Sequence, residues 1–210
     1  MSEQRWLALC DALGIQRNRD EFTALQSAYR EHHRAYHTLQ HLHECLNHLG
    51  WVRTEKDYAD LELVEAALWY HDAVYLPKAR DNEAKSAQWA YTFFDKSGLS
   101  YLKCQHIYDL VMATCHDAKP VERTQQIVVD IDLAILGATP ERFAQYERQV
   151  RKEYWFVPWS RYRDKRGAVL QNFFSMSSIY STDLFRSRFE RQARVNLKKA
   201  IARLKNTVIR

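Results

Sequence analysis

Three features of the sequence predict an all-α fold. Apolar residues recur at three- and four-residue steps rather than in alternation. Only five Gly and four Pro punctuate 210 residues, and they fall where the periodic segments stop. Residues that cap helices stand at several of the starts. At this length, 46% hydrophobic and 13% aromatic residues supply one large core. The expectation is a single domain over residues 1–210, with its core at about 22–180 and an N-terminal helix and a long C-terminal helix packed on it.

In chain order, a first helix runs from Gln4 to Leu13 and ends at Gly14, where a left-handed cap suits glycine. A second starts near Asp20 as N-cap and carries Phe22, Leu25 and Tyr29 toward a histidine-rich stretch. A third covers Thr38 to Leu49 and stops at Gly50. The fourth, Lys56 to Asp72, shows an inward stripe at Leu61, Val64 and Leu68 that continues to Asp72. Asp81-Asn82-Glu83 opens the next helix, which passes Trp89 and Phe93 and closes before Gly98. Further helices are expected at Tyr101–Cys115, with Pro120 beyond as a breaker, at Gln125–Leu136 and at Pro140–Tyr154. The aromatic run Tyr154 to Trp159 reads as a packed corner. A last helix, capped by Ser181 or Thr182, carries Phe185, Phe189, Ala193, Leu197, Ile201 and Leu204 on one stripe.

Charge and cysteine usage narrow the setting. A net charge of +5 favours an anionic ligand such as a phosphate ester, while the interspersed acids argue against nucleic acid. Cys10, Cys45, Cys104 and Cys115 have no Cys-x-x-Cys spacing and read as reduced core thiols. With no export signal and no bilayer-length apolar run, the expected place is the cytoplasm, away from membranes.

The chemistry concentrates in three stretches. Tyr36 to His41 places His37 and His41 four residues apart, on one face if the stretch is helical. His71-Asp72 ends the apolar segment Leu61 to Tyr70, and Asp130 and Asp132 interrupt another apolar run. Imidazoles and carboxylates aimed into an interior need partners, and a metal ion serves all of them. Six of the nine histidines crowd into residues 32–48. His33, His37 and His41 share a face by four-residue steps, while His32, His43 and His48 read as solvated or helix-end residues.

This ordered set resembles the HD superfamily of metal-dependent phosphohydrolases, in which a histidine, a His-Asp pair and a distant aspartate surround a metal. The resemblance implies an HD-type helical bundle with the site between helices, and His41, His71, Asp72 and Asp132 as ligands. Asp132 is preferred to Asp130 because Asp followed by Leu fits that pattern. The Tyr36-His37-x-x-x-His41 stretch is also similar to the Tyr-His-Asn-x-x-His signature of cyclic-nucleotide phosphodiesterases, except that Thr38 stands where Asn is usual. That likeness implies His37 as general acid. A bacterial group of predicted HD phosphohydrolases is closer still, through Asp81-Asn82-Glu83 with Ser86, the run from Asp130 to Gly137, Glu153-Tyr154, and Ile179-Tyr180 ahead of Ala193 to Leu197.

Two imidazoles and two carboxylates leave open positions on a six-coordinate divalent ion, which suits Mn, Mg, Fe, Ni or Co better than a closed tetrahedral zinc. The expected activity is hydrolysis of a small phosphate ester, a nucleotide or related metabolite, by activated water. Glu83 orients that water or holds a second metal, unless it only complements the first turn of its helix, and His116 is a further alternative ligand. Of the basic residues around the aromatic corner, Arg148 and Arg166, with Tyr180 and Arg194, are candidates for phosphate binding. A di-iron oxygenase and a non-catalytic nucleotide-binding module are the alternative functions, and a homodimer is compatible with either.

Overall fold

The computed structural model describes residues 2–206, and every regular element among them is helical. The elements form two compact units, one reaching to Ile131 and the other starting at Asp132.

The first unit contains α1 (Glu3–Leu13), α2 (Arg19–Ala28), α3 (Leu39–Glu55), α4 (Leu61–Tyr70), α5 (Asn82–Lys96), α6 (Tyr101–Ala113) and α7 (Arg123–Asp132) up to its last residue. The central helix is α4, which packs against α1, α3, α5 and α6. Every residue of α4 except Glu62 is buried, as expected of a helix that is apolar nearly all round. Trp69 meets Trp6 edge-on at 5.3 Å between ring centroids, and Leu63, Val64, Ala66, Ala67 and Leu68 fill the remaining faces. Each large side chain buried there contributes roughly 1.5–3 kcal/mol. The one buried acid, Glu65, accepts from Arg5 Nε at 2.7 Å and Arg53 Nη1 at 2.5 Å. This anchored helix points its C-terminal end, and with it His71 and Asp72, into the interior.

Several boundaries differ from the sequence reading. Asn18, not Asp20, caps α2 by accepting from Glu21 N at 2.9 Å. Helix α2 ends at Ala28, and residues 29–38 are turns rather than a helical approach to the histidines. Helix α3 runs through Gly50 to Glu55, because buried Leu49 and Val52 on either side outweigh the modest cost of a helical glycine. Helix α4 begins only after Asp60, whose φ of 58° is left-handed, and stops at Tyr70, so His71-Asp72 lies in the turn beyond it.

The second unit comprises Asp132, a 3-10 turn (Leu133–Gly137), α8 (Pro140–Glu153), α9 (Trp159–Ser175), the short α10 (Asp183–Phe185), a π-helical turn (Arg186–Glu190) and α11 (Arg191–Asn206). Helix α11 packs on α9 and on the 3-10 turn. The turn is tied down by Asn196 Nδ2, which donates to the carbonyls of Leu136 at 2.9 Å and Ala138 at 2.8 Å. Helix α9 starts at the end of the expected aromatic corner and covers a stretch in which the sequence reading places no helix. Thr182, one of the two expected caps, accepts from Phe185 N at 3.3 Å. Among the described residues no helix is long and apolar enough to cross a membrane.

Candidate metal centre

Two turns and one helix build the site. Thr38 caps α3, whose first turn carries His41, 2% exposed. The turn after α4 carries His71, also 2% exposed, and Asp72. His41 Nε2 lies 3.1 Å from His71 Nε2, and Asp72 Oδ2 lies 3.0 Å from His71 Nε2 and 3.5 Å from His41 Nε2. Three donor atoms thus converge on one point.

Hydrogen bonding alone accounts poorly for this triangle. His71 Nδ1 lies 2.8 Å from the Leu68 carbonyl, which can only accept, so Nδ1 carries a proton and a neutral ring presents its Nε2 lone pair to the other two atoms. A single proton satisfies one edge of the triangle; a cation satisfies all three. Donor atoms bound at about 2.1 Å to a common ion stand about 3.0 Å apart at right angles and about 3.4 Å apart at tetrahedral angles, close to the observed edges of 3.0, 3.1 and 3.5 Å. The Leu68 bond also orients the imidazole, as backbone carbonyls do for metal-bound histidines. Burial acts to raise the Asp72 carboxyl, but positive charge on His71, and on His37 and His41 beside it, outweighs burial and holds the group well below the usual carboxylate range; where the rings are neutral, a bound cation would supply that charge instead.

Asp132 is the final residue of α7, a helix otherwise wholly within the first unit, so its backbone position follows from that helix. His41, Cys45, His71 and Asp132 each offer one ligand atom, all within 4.8 Å of one another, and could hold a metal ion. Asp72, though its Oδ2 stands beside both imidazole nitrogens, is not in this group, and neither is Asp130. Two residues along a helix turn a side chain by about 200°, so Asp130 faces away from Asp132 and is fully buried. Cys45, read from sequence as a core thiol, is the member that residue order did not reveal. It follows His41 by one helical turn.

His37 and His41 do not share a helix face, because His37 precedes the α3 cap. His37 instead stacks on Tyr75 with ring centroids 4.0 Å apart, and its ring centroid is 6.2 Å from that of His41. His33 belongs to the same wall through a 2.6 Å contact between Nε2 and the Tyr75 carbonyl.

Sequence reasoning also missed the groups that hold these turns. Arg34 is only 6% exposed and donates to the carbonyls of Asp72 at 2.6 Å, Ala73 at 2.9 Å and His37 at 3.1 Å. Its Nε donates to Glu31 at 3.0 Å, and its guanidinium lies over the rings of Tyr29 and Tyr75. One arginine therefore clamps the His37 turn to the His71-Asp72 turn. Tyr29 adds a second tie: its hydroxyl donates to the Trp69 carbonyl at 3.2 Å and accepts from Asp72 N at 3.3 Å.

The remaining predicted site residues lie elsewhere. Glu83 is in the first turn of α5, where its charge bears on Cys115. His116 takes a left-handed φ of 57° beyond α6 and is outside the ligand group. In the second unit, Arg166 pairs with Glu147 at 2.5 Å. Arg194 pairs with Glu190 at 2.6 Å and also donates to the carbonyls of Phe174 and Met176. Tyr180 is buried, donating to the Leu133 carbonyl at 3.1 Å, so it serves the core. Exposed Arg148 lines a groove of ≈ 400 Å³ with Arg151, Trp159, Tyr162 and Lys199. A larger cleft of ≈ 690 Å³, lined by Asn18, Glu21, Trp89 and Phe93, contains none of the clustered histidines.

No protein-family model matches the chain, and neither does a curated protein or a solved structure.

Proposed function

We propose that the protein is a metal-dependent phosphohydrolase acting on a small phosphate ester of the nucleotide class. The observation that carries this reading is the 3.0–3.5 Å convergence of His41 Nε2, His71 Nε2 and Asp72 Oδ2, with His37 close by. A divalent cation held there supplies Lewis acidity to water and to a phosphoryl oxygen. The chain's own residues do the rest. His41 and His71 present neutral nitrogens, Asp72 and Asp132 offset the cation's charge, and Arg34 keeps the two turns in register. His37 stands two residues before α3 with its ring stacked on Tyr75, a place from which an imidazole can protonate a departing alkoxide. The net positive charge of the chain favours an anionic substrate. The di-iron alternative draws less support, because Glu83 and His116, its expected extra ligands, are outside the ligand group.

The test is metal analysis of the purified protein followed by a phosphate-release screen over nucleotides and simple phosphomonoesters and diesters with each candidate cation. Stoichiometric metal and cation-dependent phosphate release are expected. Oxygen consumption without phosphate release would select the di-iron reading, and ligand binding without turnover under every cation would select the binding module.

A further inference from the structure

We infer that Cys45 is a metal ligand and that its sulfur makes this centre select a borderline cation, Co2+ or Zn2+, over Mg2+. The inference rests on the proposed metal centre and extends it. Helix α3 places His41 and Cys45 four residues apart, on one face and one turn from each other. Both are buried, at 2% and 1% exposure. Cys45 Sγ lies 3.7 Å from both ring nitrogens of His41 and within 4.8 Å of the ligand atoms of His71 and Asp132. A sulfur and an imidazole nitrogen bound tetrahedrally to one zinc-sized ion, at about 2.3 and 2.05 Å, stand about 3.6 Å apart.

A buried cysteine is more commonly a small apolar filler, and the same chain offers that case for comparison. Cys104 Sγ is buried and reaches only as far as the Leu99 carbonyl, at 3.5 Å. Cys45 instead faces imidazole nitrogens and an aspartate, a surrounding that no apolar packing role requires. Binding exchanges the S–H proton for the cation and delivers that proton to solvent. Thiolate sulfur is a soft donor that Mg2+ and Ca2+ do not favour, whereas Co2+ and Zn2+ accept N, O and S donors together. This inference reverses the metal preference drawn from two histidines and two carboxylates alone, because the sequence pattern contains no sign that Cys45 belongs to the set.

Cobalt substitution of the full-length, metal-depleted protein tests it. The wild type should show visible d–d bands together with a near-ultraviolet thiolate-to-cobalt charge-transfer band. Cys45→Ser and Cys45→Ala, checked for folding by circular dichroism, should keep the d–d bands, lose the charge-transfer band, and bind Zn2+ at least about tenfold more weakly. Cys10→Ser, Cys104→Ser and Cys115→Ser should retain the band. Zn2+ should displace the cobalt, while a large excess of Mg2+ should not. Cobalt bound with d–d bands but no charge-transfer band, or displaced by Mg2+, overturns the role of Cys45 and leaves the metal centre standing. No cobalt uptake at all overturns both.

Discussion

His41 and His71 come from sequence positions thirty residues apart, and their Nε2 atoms stand 3.1 Å from each other in a buried setting. Asp72 Oδ2 stands 3.0 Å from the second of them, and the proposed function gives all three atoms one shared cation. Removing either ring should therefore abolish metal binding rather than weaken it slightly. A cation at a hundred times its dissociation constant stabilises the native state by about 2.7 kcal/mol. The wild type should accordingly melt higher when metal is added, and His41→Ala and His71→Ala should show no such shift. A full metal-induced shift in either variant would place the centre elsewhere.

Arg34 should matter as much to the fold as to the site. Its truncation leaves the carbonyls of His37, Asp72 and Ala73 without their donor in a buried region, so Arg34→Ala should lose about 3 kcal/mol or more in urea unfolding. Arg34→Lys keeps the charge but lacks the planar fork that reaches three carbonyls, and should recover only part of the loss. Metal affinity should fall about 10- to 100-fold in both, as for other groups that orient ligands without touching the ion. Unfolding curves that superimpose on the wild type would remove Arg34 from this role.

The legible parts of the molecule are those where side-chain chemistry and local periodicity agree. Leu61, Val64 and Leu68 mark the inner face of α4, and the His71-Asp72 pair at the end of that stripe is conspicuous because it is polar where the pattern is apolar. Cys45 and Arg34 send no such signal. A cysteine within an apolar helix face looks like core, and an arginine among histidines looks solvated until its carbonyl partners come together in space. The spacing of His37 and His41 suggests a common helix, but the Thr38 cap and the Arg34 clamp on the His37 carbonyl decide otherwise. Helix α9 escapes because only Tyr162 and Leu170 of its seventeen residues are buried, too few to show a stripe.

Gly137 should tolerate no side chain. A Cβ at that position would lie 2.6 Å from Phe189 Cβ, 2.7 Å from the Phe189 carbonyl oxygen and 2.9 Å from the Tyr180 hydroxyl. One of these is backbone and another belongs to a tyrosine bonded to Leu133, so neither yields cheaply. Gly137→Ala is expected to cost about 1–3 kcal/mol, measured by chemical denaturation. A neutral result would show that the π-helical turn around Phe189 shifts at little cost.

Cys115 supplies a pH-dependent readout. Burial first, then the charges of Glu83 and Asp117, push its thiol up to about 11 from an ordinary 9.0. Because the folded value is raised, the fold favours the neutral thiol, and this contribution to stability is complete below about pH 9 and disappears as pH rises through 11. Alkylation of Cys115 by iodoacetamide should be slow at pH 8 and keep rising with pH beyond 9, since the thiolate is the nucleophile. Glu83→Gln should lower the midpoint and speed the reaction at pH 8. An unchanged midpoint in that variant would show that burial alone sets the shift.

His37 provides the sharpest division between binding a metal and using it. Its ring stacks on Tyr75 at 4.0 Å and stands 6.2 Å from the His41 ring, centroid to centroid, so it is near the convergent donors without belonging to the ligand group. His37→Ala should leave metal content and the metal-induced rise in melting temperature intact. Turnover of an ester with a poor alkoxide leaving group should fall about 10²–10⁴-fold, the usual contribution of a positioned general acid. An ester with a 4-nitrophenolate leaving group needs no proton at the departing oxygen and should lose much less. Tyr75→Ala, which removes the ring that His37 stacks on and that lies under the Arg34 guanidinium, should give an intermediate loss with the same dependence on leaving group. Equal losses for both esters would show that His37 binds or orients substrate instead of transferring a proton.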